Sequence, residues 1–355
     1  MKLLGLFLFV VMLLSICSVI HAPPAVAQTP VLTSKVPVGV VSYFWFGFNF
    51  ESGTFTGGNG TSHWSHEPAT ALAIKPVSFY SSNDNQTLAW QLEEMHYAGI
   101  DFLIASWWGP GDYTDTAIKN LFRYVNATND SIKLAIMVEP YAGLTVSDAE
   151  NYVYGTFYEP YSSHIFNWLG KPLLCFFLPT VPEDDPDFTI RTVGNGVADW
   201  IYVAGLPEYV ESTNKPSEDL AFYTNGNHTA TDGEVTVTAR FDNYYEYQMG
   251  GRSDYLRLDL NYTGLFRTLW NYAQANAKLI VINSFNEMTE GSMLEEYISA
   301  EGVHVCPIDL LFYGSTCCHA DEWHTWTSLV PFTMAVALIL IKKRKVPELD
   351  RERTF

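Results

Sequence analysis

Basic residues are scarce in this chain: 20 Lys and Arg stand against 39 Asp and Glu, a formal charge of −19. Such a surface repels phosphate backbones and excludes a nucleic-acid partner, while saying little about a neutral ligand. Cysteine is also scarce, five in 355 residues. Cys17 lies in a leading apolar run, and Cys175, within LLCFFL, reads as a buried thiol. Only Cys306, Cys317 and Cys318 lie close together, and outside the cell a disulfide from Cys306 to one of the adjacent pair is expected. A zinc site using His304 and His319 competes with it, although the spacing fits no standard ligand pattern. A metal at His63, His66 and Glu67 competes in the same way with plain loop and substrate contacts. No internal repeat or low-complexity linker divides Pro37–Tyr297.

Long apolar runs are confined to the two ends. Lys2, the run Leu3–Ile20 and the small residues Ala25-Val26-Ala27 predict a secretory signal peptide over residues 1–27, with an uncleaved signal anchor as the competing reading. Trp326–Ile341 is uncharged and is followed at once by Lys342-Lys343-Arg344-Lys345, the positive-inside signature of a single membrane anchor, with a barrel helix bearing a basic tail or a segment lying in the interface as the competing readings. The chain then divides into a catalytic domain at 36–300, a cysteine-containing stalk at 301–325, a transmembrane helix at 326–341 and a basic cytosolic tail at 342–355. That places the catalytic part at the cell surface, on the extracytoplasmic side. Asn59, Asn85, Asn126, Asn129, Asn227 and Asn261 each head an N-x-S/T triplet, which agrees with that side of a membrane.

What is plentiful is aromatic, 15% of residues, and β-branched. Short apolar runs recur at Val38–Phe46, Asp101–Trp107, Lys133–Val138, Pro172–Leu178, Phe188–Val193, Trp200–Ala204, Glu234–Phe241 and Leu279–Phe285. Their near-continuous apolarity suits strands covered on both faces. Leu88–Ala98 and Thr116–Val125 have helical spacing between them. Eight such runs predict an α/β fold, a single (β/α)8 (TIM) barrel, with a β-sandwich as the alternative. The stretch Pro207–Gly233 is polar and turn-rich where a barrel helix is expected.

A parallel barrel carries its chemistry at the carboxyl ends of its strands. The exits here, Phe46-Gly47, Ser106–Gly109, Glu139–Tyr141, Pro179, Arg240–Tyr245 and Asn286–Glu290, are rich in acids, aromatics and glycine. An aromatic lining around an acidic centre suits a carbohydrate. The last strand runs directly into Glu287 and Glu290, two carboxylates able to donate and accept the protons of glycosidic cleavage.

Several stretches resemble glycoside hydrolase family 99, the endo-α-mannosidase family. These are VGVVSYFWFG at Val38–Gly47, HW at His63-Trp64, FYSSND at Phe79–Asp84 and AGID at Ala98–Asp101. SWWGPG at Ser106–Gly111, VEPY at Val138–Tyr141 and above all INSFNEMTEGSMLEE at Ile282–Glu296 complete the set. The resemblance implies an endo-acting retaining hydrolase of α-mannosidic or related α-glycosidic bonds, without metal or cofactor, passing through a 1,2-anhydro sugar. On its motif Glu287 falls on the base that deprotonates the sugar's own 2-hydroxyl. Glu290 falls on the acid/base at the leaving oxygen. Glu139, Tyr141, Trp107, Trp108, His63, Trp64 and Asn286 would bind the oligosaccharide or polysaccharide. Met288 and Thr289 stand where the family signature has Trp and His, so the subsite lined there is expected to differ. A catalytically silent glycan-binding module and a surface-polysaccharide processing factor are the alternatives.

Overall fold

The computed structural model describes residues 34–49, 54–55, 74–76, 79–177, 185–194, 200–214, 223–248, 253, 255–259, 264–288, 290–299 and 304–314. The expected signal peptide, the transmembrane helix and basic tail, and the His63-Trp64 pair all lie outside the described residues. Among the described residues no helix is long and apolar enough to cross a membrane.

The strands are β1 (Val38–Tyr43), β2 (Phe102–Trp107), β3 (Lys133–Val138), β4 (Lys171–Phe177), β5 (Thr189–Val193), β6 (Val203–Gly205), β7 (Glu234–Thr238) and β8 (Leu279–Asn283). Each coincides with one of the apolar runs of the sequence. Seven of them form one parallel sheet in the order β7-β8-β1-β2-β3-β4-β5. The segment leading into β6 touches both edges of that sheet. Trp200 bridges Val193 of β5 in parallel, while the N–H groups of Ile201 and Ala204 donate to the hydroxyls of Thr236 and Thr238 on β7, at 3.1 and 2.9 Å. The sheet therefore curls until its two edges reach one segment. On the β7 side threonine hydroxyls take the place of a backbone ladder.

Helices α1 (Asn85–Tyr97), α2 (Tyr113–Thr128), α3 (Val146–Val153) and α4 (Gly264–Asn276) cover the outside of the sheet. Capping sets their starts: Asp84 accepts from the N–H groups of Gln86 and Thr87, Asp112 from Thr114, and the Thr145 hydroxyl from Asp148, satisfying donors that a first turn leaves over. Between Pro207 and Gly233 the described residues hold a 3-10 turn and two short strands rather than the barrel helix. Too few apolar residues there recur at helical spacing to cover the sheet.

Side chains alternate across each strand, and the core divides accordingly. Val41, Phe102, Ile104, Ala135, Met137, Leu173, Cys175, Val193, Leu279 and Val281 cluster on the inner face of the curled sheet. Val38, Val40, Leu103, Ala105, Leu134, Ile136, Val235, Val237, Ile280 and Ile282 meet the helices. Gly39 on β1 is a glycine because a Cβ there would lie 2.1 Å from the Phe102 ring. That ring fills the space and stacks on Phe166, centroids 3.7 Å apart.

The stalk boundary needs correction. Residues 304–314 belong to the fold: Ile308, Leu311 and Phe312 are buried in the helix-side core, and Tyr313 stacks on Tyr97 with centroids 4.1 Å apart. The apolar residues in PIDLLFY bury themselves as any core segment does.

Candidate active site

Alternation decides which strand-exit residues face inward. Ser106 shares the parity of Phe102 and Ile104, and Glu139 that of Ala135 and Met137. Both thus come off the inner face, where the Ser106 hydroxyl donates to Glu139 Oε1 at 2.7 Å. Arg240 has the parity of Thr236 and Thr238 at the exit of β7, and is buried. Trp107 has the opposite parity. It is fully buried on the helix side, where its indole N–H donates to Asp115 at 3.1 Å and its ring stacks on Tyr152. The expected sugar contact at Trp107 is therefore a core residue.

After β8 the chain makes a cis peptide at Asn283-Ser284 and enters a hairpin of β9 (Asn286–Glu287) and β10 (Ser292–Met293). The hairpin is tied at its base. Ser284 Oγ accepts from the Glu287 N–H at 3.1 Å and donates to the Ser292 carbonyl. Phe285 N–H donates to the Val41 carbonyl at 2.7 Å, joining the hairpin to β1. Glu287 is buried on β9, and Glu290 is half-buried in the turn. The Glu290 carbonyl accepts from the Asp242 N–H. Gly291 follows at φ +61°, where a Cβ would meet Arg240 Nη2 at 3.2 Å. The guanidinium thus lies against the turn that carries Glu290, and also 3.7 Å from Asp242.

Glu139 and Glu290 are electrostatic neighbours. Burial pushes the Glu139 carboxyl up to about 7; the Ser106 hydroxyl pulls it back, and the charge on Glu290 raises it again. A carboxyl so placed exchanges a proton near neutral pH, as acid–base catalysis requires. An aromatic floor lies at the exits of β1 and β2. Tyr43 and Trp45 stack at 4.3 Å, and Trp45 meets Trp108 edge-on at 5.7 Å. Trp108, an expected sugar contact, is half-buried on that floor. Tyr141 follows Glu139 in the 3-10 turn Pro140–Ala142.

Two further expectations change. Asn286 spends its amide on the protein: Oδ1 accepts from the Tyr43 N–H at 2.8 Å and from the Ser42 hydroxyl, and Nδ2 donates to the Tyr43 carbonyl at 3.0 Å. It holds the hairpin to the exit of β1 and is not turned to a ligand. Met288 is buried in the core, 1% exposed, so it packs behind the acids and lines no subsite. Thr289 lies outside the described residues.

Sequence reasoning named Arg240 only as part of a strand exit and left Tyr43 and Trp45 out of the site, though strand parity counted from β1 could have found them. Nothing in the sequence pointed to a second acidic group behind the hairpin. There Glu295 accepts from Tyr80 and Gln91, and a small recess is lined by Glu94, Leu294, Glu296, Cys306, Ile308 and Asp309. Burial, then the charges of Glu296 and Asp309, raise Glu94 to about 8. Ligand atoms of Glu296, His304 and Cys306 lie within 4.8 Å of one another. Cys306 is disulfide-bonded, however, and its sulfur is not the thiolate a metal takes. The zinc alternative loses that ligand, and His304 Nε2 lies 2.6 Å from Glu296 Oε2.

The chain is an α/β protein whose fold is similar to that of glycoside hydrolase family 99 enzymes. Among solved structures it is similar to an endo-α-mannosidase of that family from Bacteroides thetaiotaomicron in complex with bis-tris propane. The TM-score is 0.54 at 17% identity, over 75% of this chain and 88% of that one. A further structure of the family's endo-α-mannosidase from the same organism gives a TM-score of 0.53 at 16% identity, over 75% and 89%. No protein-family model and no curated protein matches the chain.

Proposed function

We propose that this protein is a glycoside hydrolase that cleaves α-mannosidic or related α-glycosidic bonds within a glycan, with retention. The observation that carries the reading is the proximity of Glu139 and Glu290 at the carboxyl ends of a curled parallel sheet, with Glu287 buried on the hairpin that carries Glu290 and the Tyr43, Trp45 and Trp108 rings at the exits of β1 and β2. In this reading the sheet is the wall of a (β/α)8 barrel. A sugar ring rests on the aromatic floor, whose faces suit the apolar side of a pyranose.

Glu287 takes the proton from the sugar's own 2-hydroxyl, which attacks the anomeric carbon and gives a 1,2-anhydro sugar. Glu290 protonates the departing glycosidic oxygen and then, as a carboxylate, activates the water that opens the anhydro ring. As the anhydro ring opens, Glu287 returns its proton to the 2-oxygen, so both carboxyls end in their starting states. Glu139 lies next to Glu290 in the binding subsite, and the two carboxyls resist simultaneous ionisation. That favours a proton on the pair at neutral pH.

The catalytic part works on the extracytoplasmic side, carried there by the leading apolar run and held by Trp326–Ile341 with its basic flank. The disulfide at Cys306 supports an oxidising compartment. So do the acceptor sites Asn85, Asn126, Asn129 and Asn227, all exposed.

The test uses the purified protein on a panel of α-mannans and N-glycans, reading product size and anomeric configuration. Glu287→Gln and Glu290→Gln are each expected to reduce release by about 10³-fold or more, since each removes a proton-transfer group. Wild-type release by either variant sinks the assignment. Binding without release by the wild type makes the protein a glycan-binding module instead.

A further inference from the structure

Beside the hairpin a chain of buried polar groups ends on Glu295, which is 3% exposed. Its Oε2 accepts from the Tyr80 hydroxyl at 2.9 Å and from Gln91 Nε2 of α1 at 3.3 Å. The same Tyr80 oxygen accepts from Asn286 Nδ2 at 3.3 Å. Asn286 in turn holds the backbone of Tyr43 at both its N–H and its carbonyl, and is the residue directly before Glu287. The backbone N–H of Glu295 also donates to the Phe285 carbonyl at 2.8 Å. One carboxyl therefore reaches α1, the hairpin and, through two intermediates, the exit of β1.

We propose that Glu295 is a positioning residue for Glu287, acting through Tyr80 and Asn286. The inference rests on the reading of Glu287 as the base. Three bonds tie the Asn286 amide to Ser42 and Tyr43, and Tyr80 is the further partner that takes an Nδ2 hydrogen from the other side. Tyr80 is fixed by its bond to Glu295 and by edge-on contacts with Phe46 and Trp90. A shift of the Asn286 amide moves the next residue on the same two-residue strand, and small misplacements of a reacting group are costly in rate.

Glu295 does this as an uncharged acid. Burial raises its pKa well above the ordinary value, the bond from Tyr80 opposes this, the charge of Glu296 adds to it, Gln91 opposes and Glu94 adds. The titratable groups facing it are thus Tyr80 and Glu94 from outside its own segment and Glu296 beside it. None of them is a cation. A neutral carboxyl keeps a carbonyl oxygen for the two donors, and a glutamine presents the same oxygen in the same shape.

The experiment compares Glu295→Ala, Glu295→Gln and Tyr80→Phe in the full chain. It reads kcat and KM separately and, independently of activity, amide hydrogen exchange across residues 284–295. Glu295→Ala and Tyr80→Phe are expected to lower kcat by about 10-fold or more with KM changed less than about 3-fold, and to speed exchange in the hairpin. Glu295→Gln is expected to recover most of both. Tyr80→Phe removes a single oxygen, so it keeps the test alive if Glu295→Ala does not fold. A glutamine as damaging as the alanine overturns the neutral relay, and unchanged exchange and kcat in Tyr80→Phe overturn the positioning role. If the wild type cleaves no glycan, the function proposed above fails, while the exchange data still decide whether Glu295 orders the hairpin.

Discussion

A carboxyl at the exit of β3 titrates near neutrality because it is buried beside a second carboxyl, which outweighs the hydrogen bond it receives from the Ser106 hydroxyl. Glu139 and, on α1, Glu94 have folded-state values of about 7 and about 8 against an ordinary 4.5. Raised values mean that the folded protein holds these protons more tightly than the unfolded chain. Their contribution to stability is complete below about pH 4.5, shrinks as pH rises above it, and is gone once pH has passed the folded values. The melting temperature is therefore expected to fall between about pH 5 and about pH 8, and Glu94→Gln to flatten the upper part of that fall. Thermal unfolding followed by circular dichroism at stepped pH checks this. A melting temperature that holds or rises across the range contradicts it. The same residues show how local charge can mislead: Glu287 and Glu290 are three apart in sequence, yet the carboxylate that perturbs Glu139 lies 151 positions downstream at Glu290.

At the level of elements, strand alternation is the organising rule. It put Ser106, Glu139 and Arg240 on the inner face, and it turned Trp107 outward to the helices although Trp107 sits at a strand exit. The hairpin after β8 adds a second rule, because its turn needs a residue at φ +61° pressed against a guanidinium. Glycine meets both demands. Gly291→Ala is expected to destabilise the fold by about 1–2 kcal/mol from the left-handed backbone and the lost clearance to Arg240. Urea unfolding measures it, and an unchanged midpoint with an unchanged slope would count against this account of the turn. The strand positions were legible in the sequence because doubly covered strands must be apolar throughout. The hairpin was not, since two-residue strands are too short to show a period.

On the scale of the whole molecule, seven strands and the segment before β6 wrap an inner core, and helices and residues 304–314 cover it. Trp326–Ile341 is the expected attachment to a membrane. The full chain is expected to pellet with membranes and to resist carbonate extraction, while a chain ending at Trp326 is released. Release of the full chain by carbonate would refute the anchor. Most of the fold was visible in the order of the apolar runs. The candidate site was half visible: three candidate glutamates could be named from strand ends, whereas Trp107, Asn286 and Met288, expected at the ligand, belong to the protein's own packing.

The amino-acid sequence by itself determined where the strands run, which helices begin at which caps, and that acids follow the last strand. These are local properties, set by the side chains of a few consecutive residues. Only the tertiary structure decided that Glu139 meets Glu290, that Arg240 closes on the Gly291 turn, and that Tyr80 and Gln91 find Glu295 more than 200 positions away. The physical reason is desolvation. The cost of ionising a carboxyl depends on what surrounds it once water is gone, and those surroundings come from segments that meet only when the sheet has curled.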